Sequence, residues 1–544
     1  MGRLAALPWV VSLPLVLAVS CIGDERRDQP QAGEPLGNPP PSHPSGDPPP
    51  VEPIASVERA LSGGTIAVSP DQQTAVVSDP ARGRVVLLDL STEEVREIPL
   101  ELGDEPGRAA FDDEGRVHVV LRGAGALLTV DLEDATSRIV GVCAAPRGIA
   151  FDPTTKLLHV VGVLGDLQTV DPETGLVLRS VMLEPDLRDV VVRGDRLFVT
   201  TFRSATLLTV NAAGEIEGRT PAPAPDGFRA NVAWKMAPFE GGVVVVHQAS
   251  TNREIDVEPE PDAPPAYVGV PETPCDVLVS TSVTIYEEQP DGALVVRSGS
   301  VGALTLPVDV AVSPDATELS VAASGIESIG RAPMAAVGSG AVPCAAAPGV
   351  EVTPTGDVVG AVYFEGGLLV QMRQPDVVRV VSKSGSHRDV ELGGADVEAA
   401  PSGNTVGLTQ GYRLFHRGKA GPRTVTCASC HPEGRDDGHV WQFSTLGARR
   451  TQSLIGGISD TAPFHWSGDM ADLSTLMEEV FEHRMGQIAV TPEEVEALGA
   501  WLDAQPALPS GPGRSDDSDG RKAFEKAGCD TCHAGDTFRT SGSF

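Results

Sequence analysis

Two pentapeptides, Cys427-Ala-Ser-Cys430-His431 and Cys529-Asp-Thr-Cys532-His533, hold half of the chain's eight cysteines. Each reads C-x-x-C-H. Thiols at this spacing can each form a thioether with one edge of a haem, and the adjoining imidazole is then held beneath the iron as its proximal ligand. A zinc site would gather four ligands into one cluster, whereas about a hundred residues separate the two copies. A dithiol redox pair has no use for the histidine. The spacing therefore points to two haem c sites. They are covalent through Cys427, Cys430, Cys529 and Cys532, with His431 and His533 on the irons.

A haem needs helices around it and either a sixth ligand or an open position. Side chains after His431 that can reach iron are His439, His465, Met470, Met477, His483 and Met485. Met485, in Arg484-Met485-Gly486, sits just before a predicted closing helix and is the leading distal ligand. Met/His ligation raises the potential. His483 is the alternative and would give a bis-His iron of lower potential, while Met477 reads as helix core. A helix is expected over Asn404–Arg417 with Tyr412, Leu414 and Phe415 inward. The closing helix starts at Thr491, with Pro492 in its first position and Glu494 completing a capping box. Val495, Leu498, Trp501 and Leu502 form its buried stripe, and Pro506 stops it. Residues 403–507 thus read as one cytochrome c domain. Arg435 is either a haem propionate partner or part of a solvated charged loop, and Trp441 is placed to pack on a porphyrin.

The second motif has fewer surroundings. A polar linker covers 511–520, a helix is expected over Arg521–Ala527 with Phe524 as its anchor, and the sequence ends at Phe544. Residues 515–544 read as the start of a second cytochrome c domain, truncated before any closing helix.

The stretch Arg449-Arg450-Thr451-Gln452-Ser453-Leu454, followed by Thr461-Ala462-Pro463-Phe464-His465-Trp466-Ser467-Gly468-Asp469, resembles a signature of the di-haem cytochrome c peroxidase and MauG family. Leu476-Met477-Glu478-Glu479-Val480 resembles the helix that follows it there. The resemblance implies two haems in adjacent domains. One would pass electrons and the other would reduce hydrogen peroxide to water. It also implies that His465 lies near the haem pocket and that the methionine after the helix is axial. No second copy of the signature follows Cys529–His533 in this chain.

Between 57 and 400 the sequence is Val- and Leu-rich and periodic. Asp89, Asp131, Asp171 and Asn211 end strand-like runs at intervals of 40 to 42 residues. Ser69-Pro70-Asp71, Asp152-Pro153-Thr154 and Ser313-Pro314-Asp315 mark an earlier point in each unit, with Phe111–Gly115 and Thr353–Asp357 as weaker copies. Short strands separated by Pro, Asp and Gly turns at a period near 40 are the pattern of a β-propeller. Seven blades are expected, near 63–105, 106–145, 146–187, 188–228, 229–305, 306–348 and 349–399. The units resemble the YVTN or YncE-like propellers, a resemblance that implies a fold and no activity. An acidic, Pro-rich insertion at Glu254–Tyr267 reads as a surface loop. His118 and His159 read as packed strand residues, and His247 is a weaker candidate for a site on the propeller face.

The fold class expected is therefore multidomain: an all-β seven-bladed propeller followed by all-α cytochrome c domains. Ahead of it, Arg3 and the apolar run Leu4–Val19, broken by Pro8 and Pro14, read as a signal peptide over 1–20. Ala18-Val19-Ser20-Cys21 resembles a bacterial lipobox, which implies lipidation at Cys21. Residues 21–56 are Pro-rich and polar, a disordered tether. Export suits covalent haem, so the expected location is the periplasm or cell envelope, lipid-anchored. No later segment is long and apolar enough to span a bilayer. In that compartment Cys275 could pair with Cys344, leaving Cys143 over. A net charge of −34 argues against nucleic-acid binding. The expected partner is a redox protein such as a small cytochrome or a cupredoxin. Other readings are a propeller binding module with a cytochrome relay and no activity of its own, and a resemblance to nitrite reductases that join a propeller to a cytochrome domain.

Overall fold

The Val- and Leu-rich repeats fold as seven four-stranded antiparallel sheets over 66–99, 106–141, 146–182, 187–221, 228–300, 307–354 and 358–391. A computed structural model of the chain describes residues 58–257, 265–267, 277–301, 304–338, 349–393, 405–417, 425–506 and 518–531. The signal and tether regions, Cys21, Cys275, Cys344, Cys532 and His533 lie outside the described residues.

Each sheet takes its four strands in sequence order, interrupted only in the fifth by Glu254–Ile255, and the first strand of each touches the first strand of the next. The ring closes where Val358–Phe364 of the seventh blade meets Ile66–Val68 of the first. The second strands, such as Thr74–Asp79 and Arg116–Leu121, are buried on both faces. That is why they read as unbroken apolar runs rather than alternating ones. The outermost strands alternate or stay exposed, as in Ser137–Gly141 and Ile216–Pro221.

The two repeated landmarks make the hairpins. Asp89 accepts the N–H groups of Ser91 and Thr92 at 2.8 Å, and Asp131 and Asp171 accept those of Glu133 and Glu173. Each turns the third strand into the fourth. Ser69 and Asp71, or Ser313 and Asp315, close the turn between the first and second strands in the same manner. The Thr353–Asp357 copy differs from expectation. Glu351–Pro354 pairs with Ser328–Arg331 as the outer strand of the sixth blade, and 355–357 is the crossover into the seventh. The blade boundary falls there, not at 349.

His118 is buried between Asp112 (3.1 Å) and Thr129 (3.0 Å), a polar strut inside the second blade. His247 is equally enclosed. Its ring bonds the Gln248 carbonyl and Thr284 at 2.8 Å each, so it packs inside the fifth blade and does not face a site. Burial pushes its pKa down to about 4. Cys143 is a buried free thiol.

After the propeller come α1 (Thr405–His416), the single turn α2 (Cys427–Cys430), α3 (Leu473–Leu476), α4 (Pro492–Asp503) and α5 (Ser518–Lys526). The α3 turn runs on as a π-helical segment, Met477–Arg484. The expectation of an all-α unit is corrected here. Val440–Phe443 and Gly447–Arg450 form a hairpin, because Trp441 and Phe443 alternate inward with Val440 and Gln442 outward. Glu254–Ile255 of the insertion adds to it as a parallel strand, and the Tyr267 N–H donates to the Arg484 carbonyl at 2.8 Å. The described ends of the insertion therefore dock on the helical segment instead of forming a free surface loop. Among the described residues no helix is long and apolar enough to cross a membrane.

Arg84 bridges the first and seventh blades where the ring closes. It is buried and reaches Asp79 at 3.2 Å, Glu97 at 2.7 Å, the Leu392 carbonyl at 3.2 Å, and Asp376 of the seventh blade. Replacing Arg84 by Met leaves Asp376 with the more distant Arg82. Removing one member of a buried ion pair costs about 3 kcal/mol. Urea unfolding of R84M should therefore show a lower midpoint at unchanged slope. An unchanged midpoint would place the closure elsewhere.

Candidate functional site

The site begins where α1 crosses α4. A Cβ on Gly411 would lie 2.2 Å from the Ala497 carbonyl oxygen and 2.6 Å from Trp501 Cβ, so only glycine permits this approach. Tyr412, Phe415 and Trp501 are fully buried at the crossing. Helix α4 starts as its sequence requires, with Thr491 and Glu494 forming a reciprocal capping box around Pro492. The α2 turn is held by a second box, Thr426 with Ser429. Asp472 caps α3. The π-helical segment ends with the Met485 N–H bonded to the Val480 carbonyl at 2.9 Å. Such wide turns recur at functional sites because they re-aim side chains.

These elements enclose a cavity of about 540 Å³. Cys427, Cys430 and His431 line it together with Met485, Met477 and His465. Trp441, Phe415, Leu498 and Leu502 supply apolar wall. The size and lining are those of a pocket for one large, mostly apolar ligand. Both thiols are unpaired. Burial pushes the Cys427 thiol up to about 12 and the Cys430 thiol well above its usual range.

His431 is oriented from behind. Its Nδ1 donates to the backbone carbonyls of Gln452 (2.8 Å) and Arg435 (3.1 Å). That fixes the tautomer with hydrogen on Nδ1 and leaves the Nε2 lone pair for a metal. Burial lowers its pKa, against the pull of the two carbonyls, which favours the neutral, ligating form. On another part of the wall, His465 holds Nδ1 on Asp469 at 3.1 Å and places Nε2 3.4 Å from Arg484. Its backbone is left-handed (φ 72°).

Several sequence expectations fall outside the cavity. The His483 side chain is 61% exposed and lies 3.8 Å from Glu479, on the outer face of the π-helical segment. His439 is buried with Nε2 on the Thr251 carbonyl of the propeller (2.9 Å). Met470 pairs through its backbone with Phe464. Arg435 is not among the lining residues, and the loop that carries it is not solvated. Of the second motif Cys529–Thr531 is described, as a turn after α5 in which Cys529 is half-buried, while Cys532 and His533 lie outside the described residues.

The sequence reading missed how the loop after His431 is held. Glu433 is buried, with its carboxylate 2.6 Å from Arg188, 2.8 Å from Arg147 and 3.5 Å from Arg122. Burial alone would raise its pKa; the three guanidinium groups outweigh that and hold the carboxyl well below its usual range. Asp436 pairs with Arg203 at 3.0 Å, and Gln248 donates to the Ser429 carbonyl at 2.6 Å. Arg108, Arg147 and Arg188 stand near the start of the inner strands of three successive blades, spaced by 39 and 41 residues. That recurrence of a cation at the blade period was the signal available in the sequence.

A scan of protein-family models finds no match, and no curated protein matches. Among solved structures, hydrazine synthase from Kuenenia stuttgartiensis is similar over 63% of this chain and 100% of that one, at 16% identity and a TM-score of 0.52. Virginiamycin B lyase from Staphylococcus aureus covers 59% of this chain and 94% of its own at 13% identity, with a TM-score of 0.41. The β-propeller domain of Cps50 (Swd1) from Myceliophteria thermophila covers 59% and 97% at 10% identity, with a TM-score of 0.43. At these identities the first likeness speaks to fold alone, a β-propeller, and the two lower scores carry no argument.

Behind the cavity, His416 packs edge-to-face against Phe415 and Trp501. Its Nδ1 donates to the Tyr412 carbonyl and Nε2 accepts from the Leu61 N–H. Burial pushes its pKa down to about 3 from 6.5. A depressed folded-state pKa stabilises the fold fully above the unfolded value, and that contribution is lost as pH falls. Unfolding free energy should therefore drop from pH 6.5 toward pH 4, with this residue contributing at most about 1.4 kcal/mol per unit. His416→Gln should flatten that limb relative to the parent. Parallel pH profiles for the two proteins would show that His416 does not carry it.

Proposed function

We propose that this chain is an exported c-type cytochrome that transfers electrons. Its 403–507 segment would hold one haem through Cys427 and Cys430, with His431 as proximal and Met485 as distal ligand. The observation carrying this is that both thiols, an imidazole with a free Nε2 and a buried methionine open onto one cavity of about 540 Å³. Haem, when bound, supplies a reversible ferrous–ferric couple. The chain's part is to exclude water with Trp441, Phe415 and Leu498, to fix the imidazole through Gln452 and Arg435, and to offer a thioether sulfur at Met485. His483, exposed and beside Glu479, is a poorer distal ligand. A second haem at Cys529, Cys532 and His533, lipidation at Cys21 and a periplasmic or envelope location complete the reading. A small cytochrome or cupredoxin would be its redox partner.

A second reading, peroxide reduction, is favoured by His465. An imidazole oriented by a carboxylate, next to an arginine and facing the same cavity, is suited to take and return a proton. It requires an iron without a bound methionine, and two electrons and two protons to convert hydrogen peroxide into two waters. The redox partner would supply the electrons.

The test is the protein produced with a haem-attachment system. Pyridine haemochrome should report two covalent haems per chain, falling to one in C427S/C430S. Met485→Ala should abolish the methionine–iron charge-transfer band of the oxidised protein. A chain without covalent haem would end the cytochrome reading, and an unchanged band would end the Met485 assignment. Oxidised spectra that ignore added peroxide select the electron carrier over the peroxidase.

A further inference from the structure

We infer that the propeller tunes the haem site, with Glu433 as a positioning residue that couples the arginines of three blades to His431. The inference rests on the haem reading above and goes beyond it. It gives the propeller a role in setting the redox equilibrium, where the fold by itself assigns it none.

Only Pro432 separates Glu433 from His431. Glu433 adopts a left-handed backbone (φ 57°, ψ 26°) that costs a non-glycine residue energy and is kept only when its surroundings over-determine it. The surroundings here are rigid. Arg188 also reaches the Trp234 carbonyl at 3.0 Å and lies over the Phe202 ring at 4.3 Å, and Arg147 is fixed by Asp186 at 3.0 Å. Anchoring Glu433 fixes the turn around it. The Arg435 N–H bonds the Pro432 carbonyl, the Leu454 N–H bonds the Gly434 carbonyl, and the Arg435 carbonyl accepts His431 Nδ1–H. Moving the carboxylate would therefore move an acceptor of the proximal imidazole, and such acceptors set ligand basicity.

The same geometry carries an electrostatic effect. A buried carboxylate next to a haem ligand favours the more positive, oxidised iron, and the surrounding cations oppose it. In a poorly solvated interior neither is screened as it would be at the surface. An ion pair that merely docks two segments predicts something else: weakening it from either side loosens the same interface in the same way. The sign of the shift therefore separates tuning from docking.

The experiment is potentiometric titration of the full-length holoprotein after its haem content has been measured. Glu433→Gln should raise the midpoint potential of the Cys427–His431 haem, and Arg122→Gln should lower it. Each change should be about tenfold in the reduction equilibrium, about 59 mV for one electron. Arg122 is the outermost of the three partners, at 3.5 Å, so its replacement disturbs packing least. Glu433→Asp keeps the charge and should return the potential toward that of the parent. Opposite shifts with rescue by Asp support the inference. Shifts in the same direction, or none, overturn it while leaving the haem reading intact. Absence of haem from the parent protein overturns the haem reading, and with it this one.

Discussion

The contact on which the described structure depends is the insertion of Glu433 among Arg122, Arg147 and Arg188. A carboxylate taken out of water this completely is tolerated only with charged partners. Three blades supply them, and none of the three arginines is far from the ring's inner strands. Sequence distance makes the contact costly to form: Arg188 and Glu433 are 245 residues apart. It requires the second, third and fourth blades to be assembled and α2 to have turned the chain toward them. The blades and the C-x-x-C-H loop are therefore parts of one packed body, not modules joined by a linker.

The cavity shows the same dependence. Its walls come mostly from 403–507, but Tyr267 of the insertion and Leu278 of the fifth blade contribute to it. The insertion also extends the Val440–Phe443 strand, and that strand carries Trp441 into the wall. The N-terminal edge of the propeller is involved as well, since Trp501 Nε1 donates to the Glu58 carbonyl at 2.8 Å. A single apolar cluster runs from Phe202 and Trp234 through Phe415 to Trp501 and Met485. A boundary drawn between 400 and 403 in the sequence has no counterpart in the packing.

Much of this was legible locally. The Asp-capped hairpins at Asp89, Asp131 and Asp171 were readable because each turn satisfies its backbone within a few residues. The α4 capping box and its inward stripe were readable for the same reason. The α1–α4 pairing was half visible, in Tyr412, Phe415 and Trp501, but the Gly411 approach was not, since a glycine in a helix carries no signal of what it must admit. What failed was long-range. Thr353–Asp357 has the composition of a first hairpin, yet Ser328–Arg331 needed a fourth strand and took Glu351–Pro354 for it. Glu433 drew no reading because charge in a loop is normally solvated, and its partners Arg147 and Arg188 lie 286 and 245 residues away. Among the methionines, sequence position favoured Met485, whereas the structure places both Met477 and Met485 at the cavity.

The arrangement also limits where a partner can bind. Gln248, the Thr251 carbonyl, Arg203, Arg122, Arg147 and Arg188 are all engaged by 429–439. The end of the propeller on which these residues lie is thus spent on holding the C-x-x-C-H loop and is not a free recognition surface. A propeller acting purely as a binding module would need its other end or its outer rim, where strands such as Val177–Met182 expose Leu178 and Met182. Electron exchange has a different requirement, proximity to the cavity. Were the chain to exchange electrons as proposed, its net charge of −34 would favour encounter with a basic redox protein over an acidic one.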